Sequence, residues 1–293
     1  MLNHHGHGEP RPPENRHADL LAMLRALKLP AIAEAFPELA LQAAKAGLTH
    51  EAFLYDLARC ECAQRQQRRI ARLQHAAGLP LGKTFQTLQL ERFSLPIRQQ
   101  VERLQSGAFV DEARNVIAVG PPGTGKSHLA AALGHALVLQ ERRVLWISTA
   151  SLVQRLLAAK RDLRLPHLLA HLDRCACLIL DDLGYVQHDR DEMEVLFTLL
   201  AERYERRSLI LTTNLVFSDW TRIFKDPMTT LAAIDRVVHH AVILDLMEVQ
   251  SYRANAAHDQ RRPPAAPPGA PLTPDDRRAA EMVAARRGDH RQF

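Results

Sequence analysis

No run of ~18 or more apolar residues, the length a membrane-spanning helix needs, occurs in the 293-residue chain. Nothing in it is therefore expected to cross a bilayer. The N-terminus also lacks the apolar segment of a secretory signal. It carries His4, His5 and His7 among Gly, Pro and Glu instead, and residues 1–17 are expected to be a disordered leader. Cysteine is scarce, with four residues in two pairs, Cys60/Cys62 and Cys175/Cys177. A zinc site would need both pairs to meet in space, and neither has the commoner spacing of two intervening residues. Cys175 and Cys177 precede an apolar strand, where small thiols pack well. The expectation is free thiols in a reducing cytoplasm. Charge of either sign is nearly balanced, at a net +5 with a pI of about 9.2. That is a mild bias towards nucleic acid, which alone does not establish DNA binding.

At 293 residues the chain has the length for one sizeable core and a second small domain, and its 46% apolar content fits a globular protein. The most informative stretch is Gly120-Pro121-Pro122-Gly123-Thr124-Gly125-Lys126-Ser127, which matches the phosphate-binding P-loop pattern G-x-x-x-x-G-K-[ST]. A genuine P-loop lies between a buried strand and a helix. Asn115-Val116-Ile117-Ala118-Val119 upstream suits the strand, and the Ala/Leu-rich 128–137 downstream suits the helix. The glycines let backbone N–H groups wrap phosphates, and the helix N-terminus adds partial positive charge. Lys126 is the candidate for the β- and γ-phosphates of ATP, and the Ser127 hydroxyl for Mg²⁺.

Residues 18–110 read as an N-terminal helical domain that binds DNA or a partner. An apolar stripe opens at Asp19-Leu20-Leu21, and Thr49 is a candidate N-cap for a helix that runs on into 59–77. At about 100° per residue, Arg65, Arg68, Arg69 and Arg72 fall within one third of that helix's circumference, while Ile70, Leu73 and Ala77 lie elsewhere. No acid interrupts the four arginines, and arginine suits bidentate phosphate contacts. Solvation alone also explains a charged face, so composition leaves the two readings even. Residues 78–114 read as a connector punctuated by Pro80, Gly82, Pro96 and Gly107.

Strand and helix then alternate across 111–254, as a parallel α/β sheet requires. The predicted strands are 115–120, 144–148, 178–180, 209–213 and 242–246. A basic stretch, Lys160-Arg161-Asp162-Leu163-Arg164, adds Lys160, Arg161 and Arg164 as candidate DNA-backbone contacts. From 255 to 293 the sequence reads as a proline-rich linker followed by a short helix that begins at Thr273-Pro274-Asp275.

Asp181 ends the third strand at the carboxyl edge of the sheet, where a carboxylate can hold Mg²⁺. Asp182 is the candidate to polarise the attacking water, with a loop acid as the plain alternative. Asn214 ends the fourth strand, where a γ-phosphate contact and a simple turn stand nearly even. Arg236, with Arg222 and Arg253 competing, is the candidate to neutralise transition-state charge across a subunit boundary.

Taken together, these segments resemble the IstB-like AAA+ proteins. They are Asn-Val-x-x-x-Gly-Pro-Pro-Gly-Thr-Gly-Lys-Ser-His-Leu-Ala, Leu-Ile-Leu-Asp-Asp-Leu-Gly-Tyr, Leu-Thr-Thr-Asn-Leu-x-Phe-Ser-Asp-Trp, Asp-Arg-Val-Val-His-His and Ser-Tyr-Arg. Proteins of that family are ATP-binding helpers encoded beside a transposase in bacterial insertion sequences, and they are related to the DnaC helicase loaders. The resemblance covers about residues 18–254, including Lys83-Thr84-Phe85. It implies a sheet ordered 5-1-4-3-2 without a full C-terminal lid, ATP-driven homo-oligomerisation on duplex DNA, and stimulation of a transposase partner in the cytoplasm. It supports Asn214 as the γ-phosphate sensor and Arg236 as the arginine finger. The alternative function is a helicase loader, an ATP-switched adaptor that grips a replicative helicase. A small-molecule kinase would need an acceptor pocket and lid after the P-loop, and the sequence offers neither.

Overall fold

Hydrophobic residues alternate between the two faces of each strand, and both faces are apolar, so helices must cover both. The computed structural model describes residues 13–184, 190–220 and 227–251. Its strands are β1 (Val116–Val119), β2 (Val144–Ser148), β3 (Cys177–Leu183), β4 (Ser208–Thr213) and β5 (Val242–Asp245). They form one parallel sheet in the order β2-β3-β4-β1-β5, which is the expected order counted from the other edge.

Ile117, Val119, Leu178, Leu180, Leu209 and Leu211 point to one face. There they pack with α7 (Thr149–Arg161), α8 (Leu165–Asp173), α9 (Arg190–Arg203) and α10 (Pro227–Val238). Val116, Ala118, Ile179, Ile210 and Leu244 point to the other face, against α6 (Lys126–Leu139). The stretch 78–114, read as a connector, is built into this second core through Leu79, Phe93, Val101, Leu104 and Phe109. It carries two helices, α4 (Leu95–Gln105) and α5 (Ala108–Asp111).

Three helices precede it: α1 (Pro13–Ala26), α2 (Pro30–Ala46) and α3 (His50–Ala77). The expected run-on of α3 is one 28-residue helix. Thr49 Oγ1 accepts the Ala52 N–H at 3.2 Å to start it, and Gly78 ends it in the left-handed region. The sequence reading did not separate α2, although Pro30 at its first position and Gly47 at its left-handed C-cap mark its two ends. Its cap comes from 30 residues away, where Glu61 of α3 accepts the N–H groups of Ala31 at 2.8 Å and Ile32 at 3.2 Å. Burial alone would raise the pKa of Glu61. The hydrogen bonds from Arg65, Ile32 and Ala31 outweigh it and hold the carboxyl below its usual value. The anion is thus stabilised at the positive end of α2.

Arg203 fixes the opposite edge of the sheet from the P-loop. It is 2% exposed and donates to Leu172 O (3.1 Å), Cys175 O (3.1 Å) and Ser208 O (3.0 Å). One guanidinium therefore ties the end of α8 to the starts of β3 and β4. Burial pushes its pKa down to about 10, which still leaves it charged at neutral pH. The same surroundings push the Cys177 thiol up to about 12, through burial first, so it is a packed thiol. Arg203→Met is expected to lower unfolding free energy by about 3–5 kcal/mol, because three buried carbonyls lose their donor. Urea titration checks this; a loss under about 1 kcal/mol would remove the clamp role. The expected leader 1–17 is corrected at its end, because residues 13–17 form the first turn of α1. Its first twelve residues, Tyr185, Arg222, Arg253, the proline-rich segment, the expected terminal helix and the question of a lid all lie outside the described residues.

Candidate functional site

Residues 120–127 join the carboxyl end of β1 to the first turn of α6, as the strand–loop–helix pattern requires. The loop is stitched to both neighbouring strands. Gly120 N–H donates to Thr213 O at 3.2 Å, and Leu246 N–H donates to Val119 O at 2.7 Å. A Cβ on Gly120 would sit 2.8 Å from Leu246 O and 2.9 Å from Leu246 C, so glycine is dictated by backbone approach. Gly125, at φ 97, turns the chain into α6. Thr124 Oγ1 donates to Pro121 O at 2.9 Å and closes the loop on itself. Lys126 is 6% exposed, and its ammonium donates to Gly120 O at 2.7 Å and Pro121 O at 2.8 Å. The charge is thereby held across the loop mouth, at the N-terminus of a 14-residue helix.

His128, next after Ser127, brings in the Lys83-Thr84-Phe85 element. Its Nε2 lies 3.1 Å from Thr84 O and 3.1 Å from Thr87 Oγ1. The first turn of α6 is thus hooked to the segment that precedes the sheet.

The two aspartates do not simply follow β3. Leu180 pairs with Leu211 and Leu183 with Thr213, so Asp181 and Asp182 together oppose the single residue Thr212. This is a β-bulge, a device that re-aims a side chain at a strand end. Asp182 takes φ 59, a left-handed conformation that aspartate tolerates better than most residues. Thr212 holds both halves of the bulge. Its Oγ1 accepts the Asp182 N–H at 2.9 Å and donates to Asp181 Oδ1 at 2.5 Å. Thr149 Oγ1 supports the other side through Asp181 O at 3.1 Å. Sequence reading missed Thr212; the signal was the first polar residue of Thr212-Thr213-Asn214, where the apolar part of the strand ends. Asn214 follows Thr213, the residue bonded to Gly120, and its side chain is exposed at the same edge. Ser127 and Asp181 supply the hard oxygen donors that suit Mg²⁺.

Arg236 lies in the last turn of α10 and is committed within its own chain. Its guanidinium is 4.7 Å from the Phe197 ring centroid and donates to Ala232 O at 3.1 Å.

The basic candidates divide into two groups on opposite faces of the sheet. α3 packs on the α6 side, and α7 packs on the other. Arg65, Arg68, Arg69 and Arg72 line an open groove of about 570 Å³. The expected absence of acids there is corrected, because Glu61 lies one turn earlier on the same helix and folding brings in Glu141. Arg65 pairs with Glu61 at 2.9 Å and also donates to Lys28 O, while Arg69 pairs with Glu141 at 2.9 Å. Lys160 is likewise neutralised by Glu194 at 2.9 Å and Asp191 at 3.7 Å. Arg68, Arg72, Arg161 and Arg164 make no ion pair among the described residues.

Comparison with known proteins matches residues 22–260 to the model of the IstB-like ATP binding protein family. A putative insertion sequence ATP-binding protein of Sinorhizobium fredii is 42% identical over 274 residues, 93% of this chain and 91% of that one. The insertion sequence IS21 putative ATP-binding protein of Pseudomonas aeruginosa is 38% identical, over 80% of this chain and 88% of its own. Among solved structures, the DnaC helicase loader aligns over 51% of this chain and 88% of its own, with 21% identity and a TM-score of 0.43.

Proposed function

The chain belongs to the IstB-like ATP-binding proteins, and on that premise we propose that it is an ATPase that assembles on duplex DNA and activates the transposase of its insertion sequence. The observation that carries the ATPase reading is the Asp181-Asp182 bulge, clamped by Thr212 one strand away from the P-loop. Lys126 and the loop N–H groups bind the triphosphate. Ser127 and Asp181 hold Mg²⁺, which neutralises charge on the β- and γ-phosphates when bound. Asp182 orients and polarises the attacking water, and Asn214 contacts the γ-phosphate from the end of β4. Arg236 completes the site of a neighbouring copy, which requires it to leave Phe197. Arg68 and Arg72, together with Arg161 and Arg164, contact DNA phosphates independently of sequence.

The test is the ATPase rate with and without duplex DNA. Stimulation of ~10-fold or more is expected, a part of what a neighbour's arginine can supply. An unchanged rate, combined with capture of a hexameric replicative helicase, would replace this reading with that of an adaptor.

A further inference from the structure

The two strands that flank β1 are entered through turns that carry metal-binding side chains. α9 ends at Arg203, and Glu205 stands in the turn that leads into β4. α10 ends at Val238, and His239 and His240 stand in the turn that leads into β5. Both turns lie at the amino edge of the sheet, opposite the edge that carries the P-loop.

Consecutive residues of a helix point about 100° apart and do not face each other. His239 and His240 converge instead, with ring centroids 4.1 Å apart and planes tilted by 54°. The backbone fixes their turn. His239 N–H donates to Asp235 O at 3.0 Å, Ala241 N–H to Val238 O at 2.9 Å, and Arg114 Nε to His240 O at 3.3 Å. Glu205, at φ 55, sets its Oε1 3.7 Å from His240 Nε2. Tyr204 Oη lies 3.2 Å from His239 Nδ1 and orients the other ring. The ligand atoms of Glu205, His239 and His240 all lie within 4.8 Å of one another, and no other three His, Cys, Asp or Glu side chains do so among the described residues.

An ion pair between Glu205 and a protonated His240 would account for one contact and leave the place of His239 unexplained. Two protonated imidazoles in ring contact repel, so the pair suits neutral rings that offer lone pairs. Neighbouring cations are paired with other acids: Arg114 with Glu112, and Arg206 with Asp173 and Glu202. Two imidazoles and one carboxylate suit zinc and its neighbours among the transition metals, whereas Mg²⁺ and Ca²⁺ favour all-oxygen sites.

We propose that Glu205, His239 and His240 bind a divalent transition metal of the zinc class, with water in the fourth position. Tetrahedral donors at zinc bond lengths of about 2.0–2.1 Å stand roughly 3.4 Å apart, so small rotations of these exposed side chains close the site. The ion ties the end of α9 to the end of α10 and joins the entries of β4 and β5. Tyr204 is a positioning residue, holding a ligating ring as outer-shell partners of metal-bound histidines do.

The test titrates the full chain with Zn²⁺ and with Co²⁺, without nucleotide. His4, His5 and His7 near the N-terminus are first replaced by alanine, so that they do not contribute ions. In that chain, Zn²⁺ at about 100 times its dissociation constant is expected to raise the melting temperature by ~5 °C. Co²⁺ is expected to give the visible absorption of a four-coordinate ion. His240→Gln and Glu205→Gln should each remove both signals and one bound ion per chain. Tyr204→Phe should keep the stoichiometry and weaken affinity by ~10-fold. An undiminished melting shift and Co²⁺ spectrum in His240→Gln overturn the site. Signals that vanish once the three N-terminal histidines are replaced also overturn it, because they place the ion there.

Discussion

Lys126→Ala is expected to weaken ATP binding by ~100-fold or more, to below detection at micromolar protein. The side chain is buried, and its ammonium is held by the carbonyls of Gly120 and Pro121 across the mouth of the loop. Its position is therefore set before any phosphate arrives, and binding needs little reordering of a long flexible chain. Charge-assisted hydrogen bonds to buried or half-buried groups contribute about 1.5–3 kcal/mol each, and a triphosphate presents several acceptors. Alanine is also a better helix former than lysine at the start of α6, so the helix itself should persist. Calorimetric titration with ATP, alongside a thermal melt of the same variant, separates a binding defect from a folding one. Affinity within a few-fold of native, in a folded variant, would remove Lys126 from the phosphate site.

Asp182→Asn is expected to leave ATP affinity near native while lowering hydrolysis by about 10²–10⁴-fold, the usual range for a general base or water-orienting carboxylate. Asparagine has the same shape and tolerates the left-handed region, so the bulge and the Thr212 contact to the Asp182 backbone should survive. Only the negative charge is removed. The ATP-bound assembly should then persist, visible as a large species by light scattering or gel filtration that native protein loses as it hydrolyses. Hydrolysis within ~10-fold of native would reassign Asp182 to a structural role in the bulge.

Much of the fold was legible because it follows from local pattern. Short apolar runs bounded by turn or polar residues marked the five strands, and the turn glycines of the P-loop marked the one loop whose chemistry depends on its backbone. The sheet order came from resemblance rather than from periodicity, since strand order is a matter of long-range pairing. What remained hidden was long-range as well. The cap of α2 is a carboxylate from α3, so no local side chain caps the helix start, which only Pro30 marks in the sequence. The arginine face on α3 carries no acid between Arg65 and Arg72, yet Glu61 one turn earlier pairs with Arg65, and Glu141 arrives from just beyond the end of α6. Arg203 reads as one more surface cation at a helix end, whereas it is buried under three carbonyls from separate elements. At the site, the residue types were readable and their geometry was not. That two aspartates share one threonine is a fact of register, which a single strand cannot disclose.

The close approach of Gly120 to Leu246 bears on how ATP dependence can be tested genetically. Glycine substitutions in a P-loop are a common choice for an allele meant to be blind to nucleotide. Here the first glycine of the loop is also where the chain beyond β5 lies against β1, with backbone atoms too near for a Cβ. A substituted chain would have to push β5 off β1, so its phenotype would report a displaced strand rather than a lost ligand. Alleles at Lys126 and Asp182 avoid that ambiguity. A transposition defect in either can be assigned to the nucleotide cycle, whereas the same defect from Gly120 cannot.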